Sequence, residues 1–121
     1  AHVILKKTDH NRLFKQDVQL MKELNQNSYR FSVSWDKLFP KEEMKEPDPK
    51  AIQFYKDLLS ELKANSIKPS ITLFHFSTPA WFWNQKDGKK GWERSDALDH
   101  FAKFVKVVVE NFGKDVTHWC T

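Results

Sequence analysis

Apolar residues recur along this chain with two alternating periods. Between Asn11 and about Asn25, Phe14, Val18, Met21 and Leu24 or Leu20 return every three to four positions. That is the period of a helix with one buried face, and Asn11 stands where a cap would be. From Ser28 to Trp35 the period falls to two: Tyr29, Phe31, Val33 and Trp35 share one face, and Arg30, Ser32 and Ser34 share the other. This alternation predicts a strand. Asp48-Pro49 is a helix start, Asp as cap and Pro in the first turn. Ile52, Tyr55, Leu58, Leu59 and Leu62 follow at helical spacing until Lys68-Pro69 breaks the pattern. Ser70 to His75 is short, apolar and β-branched, which predicts a second strand. A long aromatic loop, Phe76 to Trp92, carries Pro79, Gly88 and Gly91. Ser95 is placed to cap a third helix with the stripe Leu98, Phe101, Ala102, Val105, Val108, Val109 and Phe112, and Gly113 stands where a helix end favours glycine. Val116 to Thr121 reads as a third strand.

Alternating helices and strands imply a parallel sheet covered by helices. No glycine-rich phosphate loop follows any predicted strand, which argues against a nucleotide-binding sheet. The remaining α/β architecture is the (β/α)8 barrel. A whole barrel takes about 250 residues, and this chain has 121. The expectation is part of a single (β/α)8 domain over residues 1–121, roughly strands 2 to 4 with their helices, truncated at both ends.

Composition narrows the function classes. Hydrophobic residues are 40% and charged residues 30%, which suits a packed domain rather than a disordered one. Aromatics reach 14%, with five Trp and ten Phe, enough for a large core or a stacking surface. Net charge is +4, but the lysines are scattered on predicted outer helix faces, with no basic stripe or nucleic-acid motif. Nucleic acid and membrane are therefore not expected partners, and no apolar run approaches the length of a membrane span. The single Cys120 excludes an internal disulfide. The start, AHVILKK, lacks the features of a signal peptide, so a cytoplasmic setting is the default expectation.

Two residues invite chemistry. Arg30 lies on the polar face of its strand, the face that would point into a barrel, where a guanidinium requires a carboxylate partner. It either supports a catalytic carboxylate or belongs to a structural ion pair, and the pattern alone leaves both open. His75 ends its predicted strand, at the end where barrel active sites are built. It opens the aromatic loop with Phe76, Trp81, Phe82, Trp83 and Trp92. An imidazole beside ring faces suits a sugar, but a satisfied histidine under a packed loop fits as well. His118 and Cys120 share a strand face without making a metal site, and no HExxH or CxxC is present, so no metal is expected. Glu42 and Glu43 read as solvated, and Glu93 and Asp96 as acids favouring a helix start. No serine occupies a nucleophile elbow.

Four ordered segments resemble glycoside hydrolase family 1. KQDVQLMKELNQNSYRFSVSWDKLFP (Lys15 to Pro40) is similar to the family's LMKEL and YRFSISW stretch. FYKDLLSELKANSIKPSITLFHF (Phe54 to Phe76) is similar to its segment ending VTLYHW. Gly91-Trp92 resembles GGW, and FGKDVTHWCT (Phe112 to Thr121) resembles the run leading into Asn-Glu-Pro. The resemblance implies a retaining β-glycosidase without a cofactor. Its acid/base Glu is expected just after Thr121 and its nucleophile Glu far downstream, so neither is in this chain. Small-molecule β-glycosides or oligosaccharides are the implied partners. Arg30 matches the arginine that supports the nucleophile, His75 the histidine that binds the sugar, and Phe76 the following Trp. Here the family's H-W-D-L-P reads His75-Phe76-Ser77-Thr78-Pro79, Lys90 replaces the first glycine of GGW, and the strand with the sugar-binding Gln is missing. Phe lacks the indole donor, which leaves sugar preference open. The alternative is a non-catalytic member that binds glycans or a protein partner. The 121-residue piece alone is expected to be inactive and poorly folded.

Overall fold

The computed structural model describes residues 10–121, with the side chains of His10 and Asn11 left out; the AHVILKK segment lies outside the described residues. The elements run α1 (His10–Glu23), β1 (Ser28–Ser32), α2 (Trp35–Leu38), α3 (Pro49–Ala64), β2 (Lys68–Thr72), α4 (Ala97–Phe112) and β3 (His118–Cys120). Two 3₁₀ turns, Ala80–Trp83 and Gly91–Glu93, structure the aromatic loop. The strands are parallel in the order β1-β2-β3, the arrangement that short covered crossovers produce. This is the α/β architecture of a partial (β/α)8 barrel, with helices packed on one face of the sheet.

Register decides which side chains face where. Partners across parallel strands share a face, so Tyr29–Pro69 and Phe31–Ile71–Trp119 form the outer rows. Phe31 and Ile71 pack with Tyr55, Leu59, Phe104, Val108 and Phe112 from α3 and α4. Tyr29 packs beside Val18, Leu58, Leu62 and Ile67, where α1 meets α3. The inner rows are Arg30–Ser70–His118 and Ser32–Thr72–Cys120, all polar or small.

Several boundaries differ from the sequence reading. The α1 backbone is already helical at His10, which places Asn11 inside the helix rather than at its cap; such ends shift by a residue or two. Val18 is buried on its stripe, but Leu20 and Leu24 are 56% and 71% exposed. β1 stops at Ser32, because the chain turns to drive Trp35 into the core as α2 begins. Trp35 is 1% exposed and lies within 5.0–6.3 Å of the rings of Trp81, Phe82, Trp92, Phe101 and Phe104. β2 begins at Lys68 and includes Pro69. A proline is tolerated there because it lies at the strand start. Its carbonyl accepts from Thr117 N on the β3 side, so its ring nitrogen faces that side before β3 pairing begins.

At α3 the cap is as read: Asp48 Oδ1 accepts from Lys50 N at 2.9 Å. At α4 it is not. Ser95 precedes the cap position, which Asp96 holds without a side-chain capping bond, because its carboxylate serves other donors. Val108 and Phe112 are buried as the stripe requires, but Leu98 is 74% and Val109 48% exposed. The buried seam runs instead through Ala97 and Phe104. Gly113 ends α4 in the right-handed region, φ −57°.

Candidate active site

The inner face of the sheet collects the polar residues. Arg30 is exposed on it, opposite the face of β1 that packs against helices. Among the described residues no carboxylate pairs with Arg30. This side of the sheet therefore carries a permanent positive charge beside the hydroxyls of Ser32, Ser70 and Thr72.

His75 reaches the same side by a bend. Simple alternation from Ile71 through Leu73 would turn His75 outward, toward the helices. Leu73 does stay with β3, its N–H donating to Cys120 O at 2.8 Å, and it is buried in the outer core. The backbone then bends, and Phe74 turns to the outer cluster, with ring centroids 5.4 Å from Trp92 and 6.3 Å from Phe101. This swings His75 inward, where its Nδ1 lies 3.2 Å from Ser32 Oγ. The tautomer decides which of the two donates. Arg30 and Ser32 on β1 and His75 beyond β2 thus face one side. Phe76 follows, 89% exposed, with φ +64°. A bulky residue in the left-handed region is strained, and such strain persists where the surroundings hold it. Phe76 keeps company with the His75 ring at 5.8 Å.

Beside this mouth lies a charge network that the sequence did not disclose. The Arg94 side chain is only 1% exposed. Its guanidinium donates through Nε to Asp96 Oδ1 at 3.0 Å, through Nη2 to Asp96 Oδ2 at 3.1 Å and to Glu42, and through Nη1 to Trp81 O at 3.3 Å. Asp96 also accepts from Lys86 Nζ at 2.9 Å and lies 3.1 Å from His100 Nε2. Lys86 and Arg94 hold the Asp96 carboxyl well below the usual range, against the opposing effect of its partial burial. Glu42, expected to be solvated, is a partner of a buried cation. Asp96, expected to favour a helix dipole, is the hub of the cluster. Glu42 lies 52 positions from Arg94, and an Arg two residues before an Asp gives no periodic signal, so only the fold shows them as one cluster.

Glu42, Asp96 and His100 place ligand atoms within 4.8 Å of one another, the one such trio among the described residues. Both carboxylates there already bind Arg94 or Lys86, so the trio is an ion-pair network rather than a fit for a metal. Among the described residues no helix is long and apolar enough to cross a membrane.

Residues 6–121 match the family model for glycosyl hydrolase family 1. A furostanol glycoside 26-O-β-glucosidase from Hellenia speciosa is 38% identical over 96% of this chain and 20% of its own length. The family 1 β-glucosidase of Exiguobacterium antarcticum superposes with a TM-score of 0.83 at 35% identity, over 93% of this chain and 24% of that structure. A Thermotoga maritima β-glucosidase in complex with a methoxycarbonyl-substituted glucoimidazole gives 0.81 at 32% identity, over 93% of this chain and 25% of that one. The chain thus spans about a fifth to a quarter of the proteins it matches.

Proposed function

This chain belongs to glycosyl hydrolase family 1, and on that premise we propose that it is part of a retaining β-glycosidase acting on small-molecule β-glycosides or oligosaccharides. The observation that carries the reading is the convergence of Arg30, Ser32 and His75 on the inner face, with His75 turned there by the bend after Leu73. In a retaining enzyme two carboxyl groups stand about 5–5.5 Å apart. One protonates the leaving oxygen while the other attacks the anomeric carbon. Water then releases the glycosyl-enzyme, with the first group acting as base. In the whole enzyme both carboxylates come from outside this chain.

Arg30 faces the side where the nucleophile would stand. Its charge favours the ionised carboxylate and its planar fork orients the two oxygens. His75, steadied by Ser32, offers a ring nitrogen to a sugar hydroxyl. Phe76 offers an apolar face to the C–H side of the ring. These contacts assist turnover to the extent that they strengthen as the ring flattens toward the oxocarbenium-like transition state. No step calls for a cofactor or a metal.

The test is assay of the whole enzyme on aryl β-glycosides, with and without a 6-phosphate. The expected result is release of the aglycone with the anomeric configuration retained. Binding of glycosides without cleavage of any of them would replace this reading with that of a glycan-binding protein.

A further inference from the structure

Ser32 and His75 lie 43 positions apart in sequence, and anchored backbone delivers each of them to the inner face. Ser32 forms the last rung of β1 against Thr72, and beyond it Val33 N donates to Thr72 O at 3.4 Å. Phe31 before it and Val33 after it pack in the outer core, which aims the Ser32 side chain at the opposite face. On the other side, Leu73 N is held by Cys120 O and the Phe74 ring lies among Trp92 and Phe101, so the chain leaves the sheet in one direction. The 3.2 Å from Ser32 Oγ to His75 Nδ1 is therefore set by the sheet and the bend.

An imidazole fixed by its backbone alone is ambiguous in two ways. Its χ2 torsion is broad and roughly two-fold, so the ring can turn over and exchange each nitrogen with a carbon. The neutral ring also has two tautomers. Here the ring is exposed, and its neighbour Phe76, 5.8 Å away and tilted by 45°, does not tell nitrogen from carbon. A partner at Nδ1 removes both ambiguities. Among the described residues Ser32 Oγ and His75 Nδ1 are each other's one hydrogen-bond partner, and Nε2 has none. If the hydroxyl donates, its proton and the Nδ1 lone pair are both used, and the ring proton stays on Nε2. The reverse arrangement leaves the hydroxyl proton with no acceptor among the described residues.

We propose that Ser32 is a positioning residue of the sugar site: its hydroxyl donates to His75 Nδ1, stops the ring from turning over and keeps the ring proton on Nε2. His75 then meets the substrate as a hydrogen-bond donor to a sugar hydroxyl oxygen. That hydroxyl keeps its own proton to donate elsewhere in the site. This rests on the proposed glycosidase reading and deepens it, because it fixes the direction of the His75 contact.

The experiment is a double-mutant cycle in the whole enzyme, with Ser32→Ala, His75→Ala and the pair together assayed on an aryl β-glucoside. Ser32→Ala alone should lower kcat/KM roughly three- to tenfold, the scale of one hydrogen bond, and mainly through kcat. In the His75→Ala background the same substitution should change kcat/KM by less than about twofold, since there is no ring left to hold. Equal falls in both backgrounds would make Ser32 a structural residue, and no fall in the parent would show that the ring needs no holding; either result overturns the inference. Nitrogen NMR of the His75 ring reads the tautomer without substrate and without any substitution. A proton on Nε2 of the neutral ring is expected, and a proton on Nδ1 overturns the donor role. An unsubstituted enzyme that cleaves no aryl β-glucoside overturns the glycosidase reading and the sugar contact with it, a result separate from the ring spectrum.

Discussion

Arg94 and Asp96 show how a buried charge organises the loops beside the strand ends. The guanidinium cannot shed its proton, so its burial is tolerable only while both carboxylates stay ionised. Because the Asp96 pKa is lowered in the folded state, chiefly by Lys86 and then by Arg94, this cluster stabilises fully above the unfolded carboxyl value of about 4. That stability drains away as pH falls below it. Acid titration of thermal stability should therefore show a steep loss below about pH 4, and Asp96→Asn should flatten that loss while lowering stability at neutral pH. The neutral-pH cost should be on the order of 3 kcal/mol, since Glu42 is then the one carboxylate left to Arg94 among the described residues; an Asn variant with the parent's acid profile would exclude the linkage. Arg30 makes a second test. Arg30→Met should move the acid limb of the pH–rate profile upward, because the nucleophile it faces would ionise less readily. A superimposable profile would remove Arg30 from that role. Of these residues the sequence exposed Arg30, since a cation on an alternating strand face breaks a pattern. It hid Arg94, because an Arg two residues before an Asp is ordinary on a surface loop, and its burial and its second carboxylate, 52 positions away, come only with the fold.

At the scale of elements, periodicity located every helix longer than one turn and all three strands, because each buries one face. It erred where a single contact outranks the period. Trp35 ends β1 early, the Leu73 bend shortens β2, and the ion network takes Asp96 away from capping. The bend matters most for function, since extrapolated alternation would turn His75 away from the inner face. The Asp48 cap was legible because its chemistry is local. Asp48→Ala should cost about 1 kcal/mol, read as a lowered denaturation midpoint, by leaving the Lys50 N–H without its acceptor. No change in midpoint would mean that water replaces the carboxylate at no loss.

For the molecule as a whole, three parallel strands with helices on one face leave the polar inner rows and the outer edges of β1 and β3 without protein cover among the described residues. Open parallel edges invite further pairing. The 121-residue chain expressed alone should therefore lack a cooperative melt and cleave no aryl β-glucoside; a sharp transition with measurable turnover would refute this. In the whole enzyme, the account stands on the inner face being a sugar site with His75 at its rim. The most direct measurement is kcat/KM for an aryl β-glucoside before and after His75→Ala. A fall of about a hundredfold carried mainly by kcat, with the melting temperature preserved, is the predicted result, as expected for a contact that tightens in the transition state. An unchanged kcat/KM would contradict it.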